Sequence, residues 1–524
     1  MNLNYYAYLK AMRSRFTFLL PSDSALAYYY DPASMKSRTP RVTVFEHQSG
    51  NPPVKMTFYN YNCPYNAKAK EDVGTIGARI LGSNQYDNTE VSNRLKDILE
   101  SHTIVHDETN PMTRDLQKFF GVDESQPLDE YYLSKNGNAV KVVREMRLNQ
   151  DGELVPTVVA VKGGFQLENE RMGIVSETPG VTSCAISKWY YGGNTGNGDT
   201  YVLKAPLVPT YRSVYSIFTN DADQHKLDGD GFGGETPYSE FYKLCQSDGY
   251  DTEIMGCGLV DKSLTDSQKK SALKKFKIFI DDKGLDYNVQ FFNNYRYTVF
   301  VPSNESVLDA IDHGLPTWED IYEDYHSHCK QEMDEVTDDE GNVTLVPVTN
   351  EDGEPVYTNE LATYADSVRI AAKITYLTNF VRYHFADNSV FADKTELKPN
   401  EMITSSYDKE LELFCKVHVD RIPSGDGTEL RVCDDVTWKK NNNSMGSNPV
   451  LTIGEKNVLA RDISCNQSPV GVIMKGKVIQ SSSAAVIHTI DGYLNHTEVI
   501  DGDHTKTWES TIKAKRYLQR YAIR

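Results

Sequence analysis

The chain has little of what marks a membrane-spanning protein, a metalloprotein or an enzyme. No run of about 18 apolar residues occurs, so no helix is expected to cross a bilayer. The start, Met1-Asn2-Leu3-Asn4-Tyr5-Tyr6-Ala7-Tyr8, has no basic head followed by an apolar block, so it does not read as a signal peptide. That leaves a cytoplasmic protein, or one whose secretion signal is not on this chain. Cysteine is sparse: positions 63, 184, 245, 257, 329, 415, 433 and 465, none in a CxxC pair. This disfavours a structural zinc site and a disulfide scaffold, and predicts buried thiols, with Cys245 and Cys257 as the one bridge to consider. There is no G-x-S-x-G elbow and no H-E-x-x-H helix. Spacing alone singles out no acid pair among the 74 carboxylates. The expectation is a protein that is not an enzyme and needs no cofactor or metal. Lys and Arg number 55, giving a net charge of −19, which argues against nucleic acid or an anionic membrane as the main partner.

Two near-motifs fail on inspection. Gly471 to Lys477 fits the G-x-x-x-x-G-K part of a phosphate loop, but Val478 stands where the Mg²⁺-binding hydroxyl belongs, and the flanking valines read as a hairpin. Asp228 to Glu235 resembles a calcium loop, yet Phe232 occupies its fifth position, where an oxygen ligand is needed.

What is present is a repeat. Tyr297-Thr298-Val299-Phe300-Val301-Pro302-Ser303-Asn304-Glu305-Ser306-Val307-Leu308 reads as an apolar strand running through Pro into a capped helix. A close copy is Phe16-Thr17-Phe18-Leu19-Leu20-Pro21-Ser22-Asp23-Ser24-Ala25-Leu26. The helical stretches ending at His102 and His384 form a second pair. Their offset, 384 − 102 = 282, nearly equals the strand offset, 297 − 16 = 281. In the later copy Ile370, Ile374, Leu377, Val381 and His384 fall on one helical face. A third pair, Tyr201 to Pro209 and Ala485 to Tyr493, is β-rich and offset by 485 − 201 = 284. Such a period is too long for a solenoid and predicts two tandem domains.

Between these anchors, turn dipeptides at Asn136-Gly137, Asp151-Gly152, Gly341-Asn342, Asp352-Gly353 and Asp426-Gly427 predict hairpins. Glu323 to Pro355 is acidic and turn-rich, an exposed insertion carrying a hairpin. The expected division is domain 1 at 1–220, a linker at 221–236, domain 2 at 237–500 and a polar tail at 501–524, the tail ending in a basic amphipathic segment. Gln268 to Ile280 reads as a helix. The second strand motif is preceded by 59 residues of helical lead-in and the first by fifteen, so domain 1 looks short at its N-terminus.

The three paired motifs resemble those of the fasciclin-type (FAS1) domain. Its first block, "TVF.P.N.A", is similar to Tyr297 to Leu308 and Phe16 to Leu26. Its Tyr-His element is similar to Tyr383-His384, and its second block, "G.IH.ID.VL", to Ala484 to Leu494. The first copy departs, with Ser101 before His102 and no His or Asp in Val202 to Pro209. The resemblance implies an α+β fold, with each domain a β-sandwich or wedge with packed helices and long hairpin insertions. It also implies a cell-surface adhesion or interaction protein that binds surface or matrix proteins. Large insertions, acidity and abundant Tyr resemble Bacteroidetes-type surface lipoproteins. Such a protein would be extracellular, held at an outer membrane through an N-terminal segment absent from this chain, and partnered with a transporter complex.

The binding candidates implied by the resemblance are Tyr383, His384, His488 and Asp491. Tyr is common, 33 against 19 Phe, and suits half-wet contact faces. Trp189, Tyr190, Tyr191 and Trp438 lie in exposed-looking runs and would stack on sugar rings, which gives the alternative of a glycan-binding accessory of a nutrient-uptake complex. The plainer reading of both histidines is a half-buried imidazole tying helix to sheet by a backbone hydrogen bond.

Overall fold

The computed structural model describes residues 15–35, 41–50, 53–62, 75–79, 88–106, 130–149, 151–176, 178–190, 197–210, 212–219, 235–247, 288–292, 296–392, 401–408, 412–424, 427–465 and 478–496, with a few scattered positions besides. The near-motif at 471–477, Tyr191, the tail, all but Glu235 of the near-motif at 228–235, all but the last two residues of the predicted linker and most of the predicted helix 268–280 lie outside the described residues.

The first half begins with β1 (Phe16–Pro21). A separate four-stranded antiparallel sheet follows: β2 (Tyr29–Tyr30), β3 (Arg41–His47), β4 (Val54–Tyr61) and β5 (Ile76–Arg79). The chain then supplies β6 (Thr103–Val105), β7 (Glu130–Leu133), β8 (Ala139–Leu148), β9 (Leu154–Lys162), β10 (Cys184–Tyr190) and β11 (Gly198–Leu203). Their order is β6-β1-β11-β10-β9-β8-β7, and a bridge from Ile104 to Ser134 carries the last strand back to the first.

The second half repeats this path. β12 (Arg296–Pro302) is followed by an excursion: β13 (Cys329–Gln331) paired with β16 (Tyr357–Leu361), and the hairpin β14 (Met333–Thr337) with β15 (Val343–Pro347). Then come β17 (Phe385–Asp387), β18 (Glu401–Asp408), β19 (Leu413–Ser424), β20 (Gly427–Asp434), β21 (Val450–Thr452), β22 (Val458–Cys465) and β23 (Ile479–Asp491). The ring β12-β17-β18-β19-β20-β21-β23 closes on β12, with β22 laid along the remaining length of β23.

This corrects the expected α+β sandwich or wedge. The described residues are mostly β, 43% strand against 25% helix, and the main sheets are closed or nearly closed barrels. The physical reason is that β1 and β12 are each bonded on both edges. Each takes a parallel partner from the end of its half and an antiparallel one from the middle. A sheet whose first strand also receives its last wraps onto itself and buries its edges. Long strands with β-branched residues, such as Ala139–Leu148 and Ile479–Asp491, bend around that ring.

Local chemistry sets the corners. Ser303 caps the helix Asn304–Asp312, its Oγ accepting from Ser306 N at 3.2 Å. The first copy turns more tightly: Ser22 Oγ accepts from Ala25 N, and only the 3₁₀ turn Ala25–Tyr28 follows. Three hairpin tips share one device. Asn149, Asp338 and Asn350 each accept, through the side chain, from the backbone amides two and four residues on. Each tip also holds a glycine at φ near +80° (Gly152, Gly341, Gly353), a conformation that glycine adopts without strain.

The helix Tyr364–Tyr383 starts at Thr363, whose hydroxyl accepts from Asp366 N. It lays Ile370, Ile374, Leu377 and Val381 into the larger core. That core also takes Val214, Tyr215, Ile217 and Phe218 of the helix Val214–Thr219, so the chain reaches the second body upstream of the stretch read as a linker. Cys245 is a free, buried thiol rather than half of a bridge, and Cys184, Cys329 and Cys433 are buried thiols too.

Candidate functional site

The two histidines that end the paired helices do the same thing in each half. His384 is buried; Leu494 N donates to its Nε2 at 3.1 Å, so Nδ1 carries the proton and donates to Phe380 O at 2.9 Å. His102 accepts from Leu207 N at 2.7 Å and donates to Ile98 O at 2.6 Å. Their own carbonyls accept from equivalent positions of the central strands, Phe300 N at 2.9 Å and Leu19 N at 2.8 Å. Each imidazole therefore clasps a helix end, a central strand and the chain leaving the last strand. Burial pulls both rings down to about 4, so they are neutral at ordinary pH.

His488, in β23, uses the other tautomer. Its Nε2 donates to Val390 O at 2.8 Å, and Nδ1 faces Asn457 N at 3.4 Å; burial pulls it to about 4 as well. Its register partner is Phe300, and the equivalent pair in the first barrel is Leu19 with Tyr201. The third motif pair is therefore offset by 488 − 201 = 287, not 284, and Tyr201 stands where the second half has His488.

Tyr383 is buried at the helix end. Its hydroxyl donates to Lys416 O and accepts from Asp435 N at 3.0 Å, and burial raises its pKa well above the usual tyrosine value. Trp438 stacks on His418, centroids 4.1 Å apart, and His418 Nε2 lies 3.1 Å from Asp435 Oδ1. Tyr383 and Trp438 thus meet around Asp435. Asp491 is exposed at the end of β23. Trp189 and Tyr190 are half exposed on β10 of the first barrel. Trp189 Nε1 donates to Asp199 Oδ2 at 3.0 Å and its ring stacks on Tyr201. The structure does not gather the described candidates into one site.

A place the sequence reading missed lies between the two barrels. The helix Asn88–Ser101 presents Asp97 to Arg461 of β22, at 2.5 and 3.2 Å, both side chains being almost fully buried. Asn93 bonds both ways with the backbone of Ile479, at 2.9 Å each. Tyr131 and Phe391 stack beside them at 4.5 Å, within a cluster that also takes Leu133, Leu459 and Val486. Above this seam is a cleft of about 480 Å³ whose charged lining is Lys96, Lys135, Arg296 and Arg461 against Asp97 and Glu100. Lys135 is paired with Glu100 at 2.7 Å. The helix had carried a signal: Arg94, Asp97 and Ser101 sit among Val91 and Ile98 on the buried face, where unpaired charges are not tolerated.

Among the described residues no group of three metal-ligating side chains gathers, and no helix is long and apolar enough to cross a membrane.

No family model and no curated protein matches the sequence. Among solved structures, a FAS1 domain pair from the insect cell adhesion molecule fasciclin I is similar over 77% of this chain and 80% of that chain. The identity is 11% and the TM-score 0.19, too low to build on.

Proposed function

We propose that this chain is a non-enzymatic cell-surface interaction protein of fasciclin type that binds protein partners. The observation that carries this reading is how the reactive-looking groups are spent. His384, His488 and Tyr383 are buried and committed on both polar positions to backbone atoms. Apolar side chains at three hairpins are instead left in solvent: Leu148 and Leu154, Val343 and Leu345, Leu413 and Phe414, each more than half exposed. Groups held that way brace a fold, whereas exposed apolar tips are what contact surfaces are made of. The duplicated corners and helix-end histidines, which resemble the fasciclin motifs, support the same reading. The test is affinity capture from native surface membranes with the full chain as bait, followed by mass spectrometry. Enrichment of surface proteins supports the proposal, and recovery of none defeats it.

A second reading is favoured by Trp189 and Tyr190. Trp189 is held in a fixed orientation by Asp199 and Tyr201 while half its surface faces water. Such a ring can stack on a sugar, as in a glycan-binding accessory of an outer-membrane uptake complex. A glycan array with the intact chain decides: a ligand lost in Trp189→Ala supports it, and a blank array rejects it.

A further inference from the structure

The excursion between β12 and β17 contains a hairpin that the barrel does not need. β14 and β15 pair only with each other among the described residues, so each keeps an outer edge of unpaired backbone groups. Every residue of both strands is exposed. The register places Met333 opposite Pro347, Glu335 opposite Leu345 and Thr337 opposite Val343. Met333, Leu345 and Val343 therefore share one face, at 43%, 57% and 59% exposure. An edge strand is commonly protected by charge. That accounts for acidic side chains on this hairpin but not for an uncovered apolar face beside them.

The sequence around the face identifies what would cover it. Residues 331–356 hold nine acids (Glu332, Asp334, Glu335 and Asp338 among them) and no Lys, Arg or His. A second copy of the chain would bring like charge against like. We infer that this hairpin docks an extended basic polypeptide segment of a partner protein. Such a segment adds as a strand to the free edge, sets alternate apolar side chains on Val343 and Leu345, and places its lysines or arginines against the flanking carboxylates. This rests on the surface-interaction reading above and names the partner chemistry for it.

The experiment uses the full chain and three short blocked peptides: alternating Lys and Val, alternating Glu and Val, and alternating Lys and Ser. The Lys/Val peptide should bind about tenfold or more tighter than either of the others by fluorescence anisotropy. The double substitution Val343→Thr with Leu345→Thr should abolish that preference while the melting temperature stays unchanged, both side chains being exposed. Equal binding of the Lys/Ser peptide, or an unaltered double variant, overturns the proposal. Self-association through this face in sedimentation does so too. If a chain ending at Ile500 binds the peptide far more tightly, the chain's own basic C-terminal residues are the occupant, and an external partner is ruled out. If the double variant is still captured on surface membranes like the parent chain, the hairpin proposal fails while the surface reading stands. If the parent chain captures nothing, that reading fails whatever the peptides do.

Discussion

The clasping histidines make a quantitative prediction about pH. His384 has a folded value of about 4 because burial penalises its charged form, against about 6.5 in the unfolded chain. Between those values the unfolded state binds the extra proton, so stability rises with pH across this window and is lost as pH falls from 6.5 towards 4. At pH 5 the loss relative to pH 8 is RT ln[(1 + 10^1.5)/(1 + 10^−1)], or about 2 kcal/mol. Protonation would also turn Nε2 into a donor facing the Leu494 amide, breaking the clasp. The perturbation is His384→Gln, measured by urea unfolding of the parent and variant at pH 8, 7, 6 and 5, above the range where most carboxylates titrate. The variant should be less stable at pH 8, and its loss between pH 8 and 5 should be smaller than the parent's by about 2 kcal/mol. Parallel pH profiles would refute the reasoning. His102 and His488 should each behave in the same way, since burial holds both at about 4.

Further outcomes follow from other contacts. Asp97→Asn removes the carboxylate that two bonds hold against the buried Arg461 guanidinium and should cost about 3–5 kcal/mol in urea unfolding. Replacing both partners with apolar residues, Asp97→Leu with Arg461→Met, should recover much of that loss. Tyr383→Phe removes the hydroxyl bridging Lys416 O and Asp435 N and should cost about 1–3 kcal/mol, with the fold retained by circular dichroism. Cys184 and Cys245 are fully buried and burial raises both thiols; they should react with a thiol reagent in native buffer far more slowly than after denaturation.

The parts of the fold legible in the sequence were those written locally. The strand–Pro–Ser corner and the histidine at a helix end carry landmarks within a dozen residues, so their offsets of 281 and 282 could be read directly. The third pair could not be registered by eye. β11 alternates between buried and half-buried positions while β23 is buried without a break from Ser483 to Ile490, so the two share no common period to align on. The match slipped by three positions, which puts alternate side chains on opposite faces. Ring closure was invisible for another reason. β12 and β23 meet only because residues 188 apart, Arg296 and Ala484, become neighbours, and nothing local in either strand announces that pairing. Distance also hid the seam between the barrels: Asp97 and Arg461, 364 residues apart, each look alone like a solvated surface charge.

The parallel pairing of first and last strands has a mechanical consequence. Force entering a barrel at the start of β12 and leaving beyond β23 pulls two parallel neighbours in opposite directions. All seven registered positions, from Arg296–Ala484 to Pro302–Ile490, are then loaded together rather than opened one by one. β1 and β11 are arranged the same way over six positions. Each barrel is thus a shear-loaded clamp, and single-molecule pulling along this axis should meet more resistance than pulling that peels β18 from β19. A chain tethered at one end and gripped at the other would carry tension through its strongest seam.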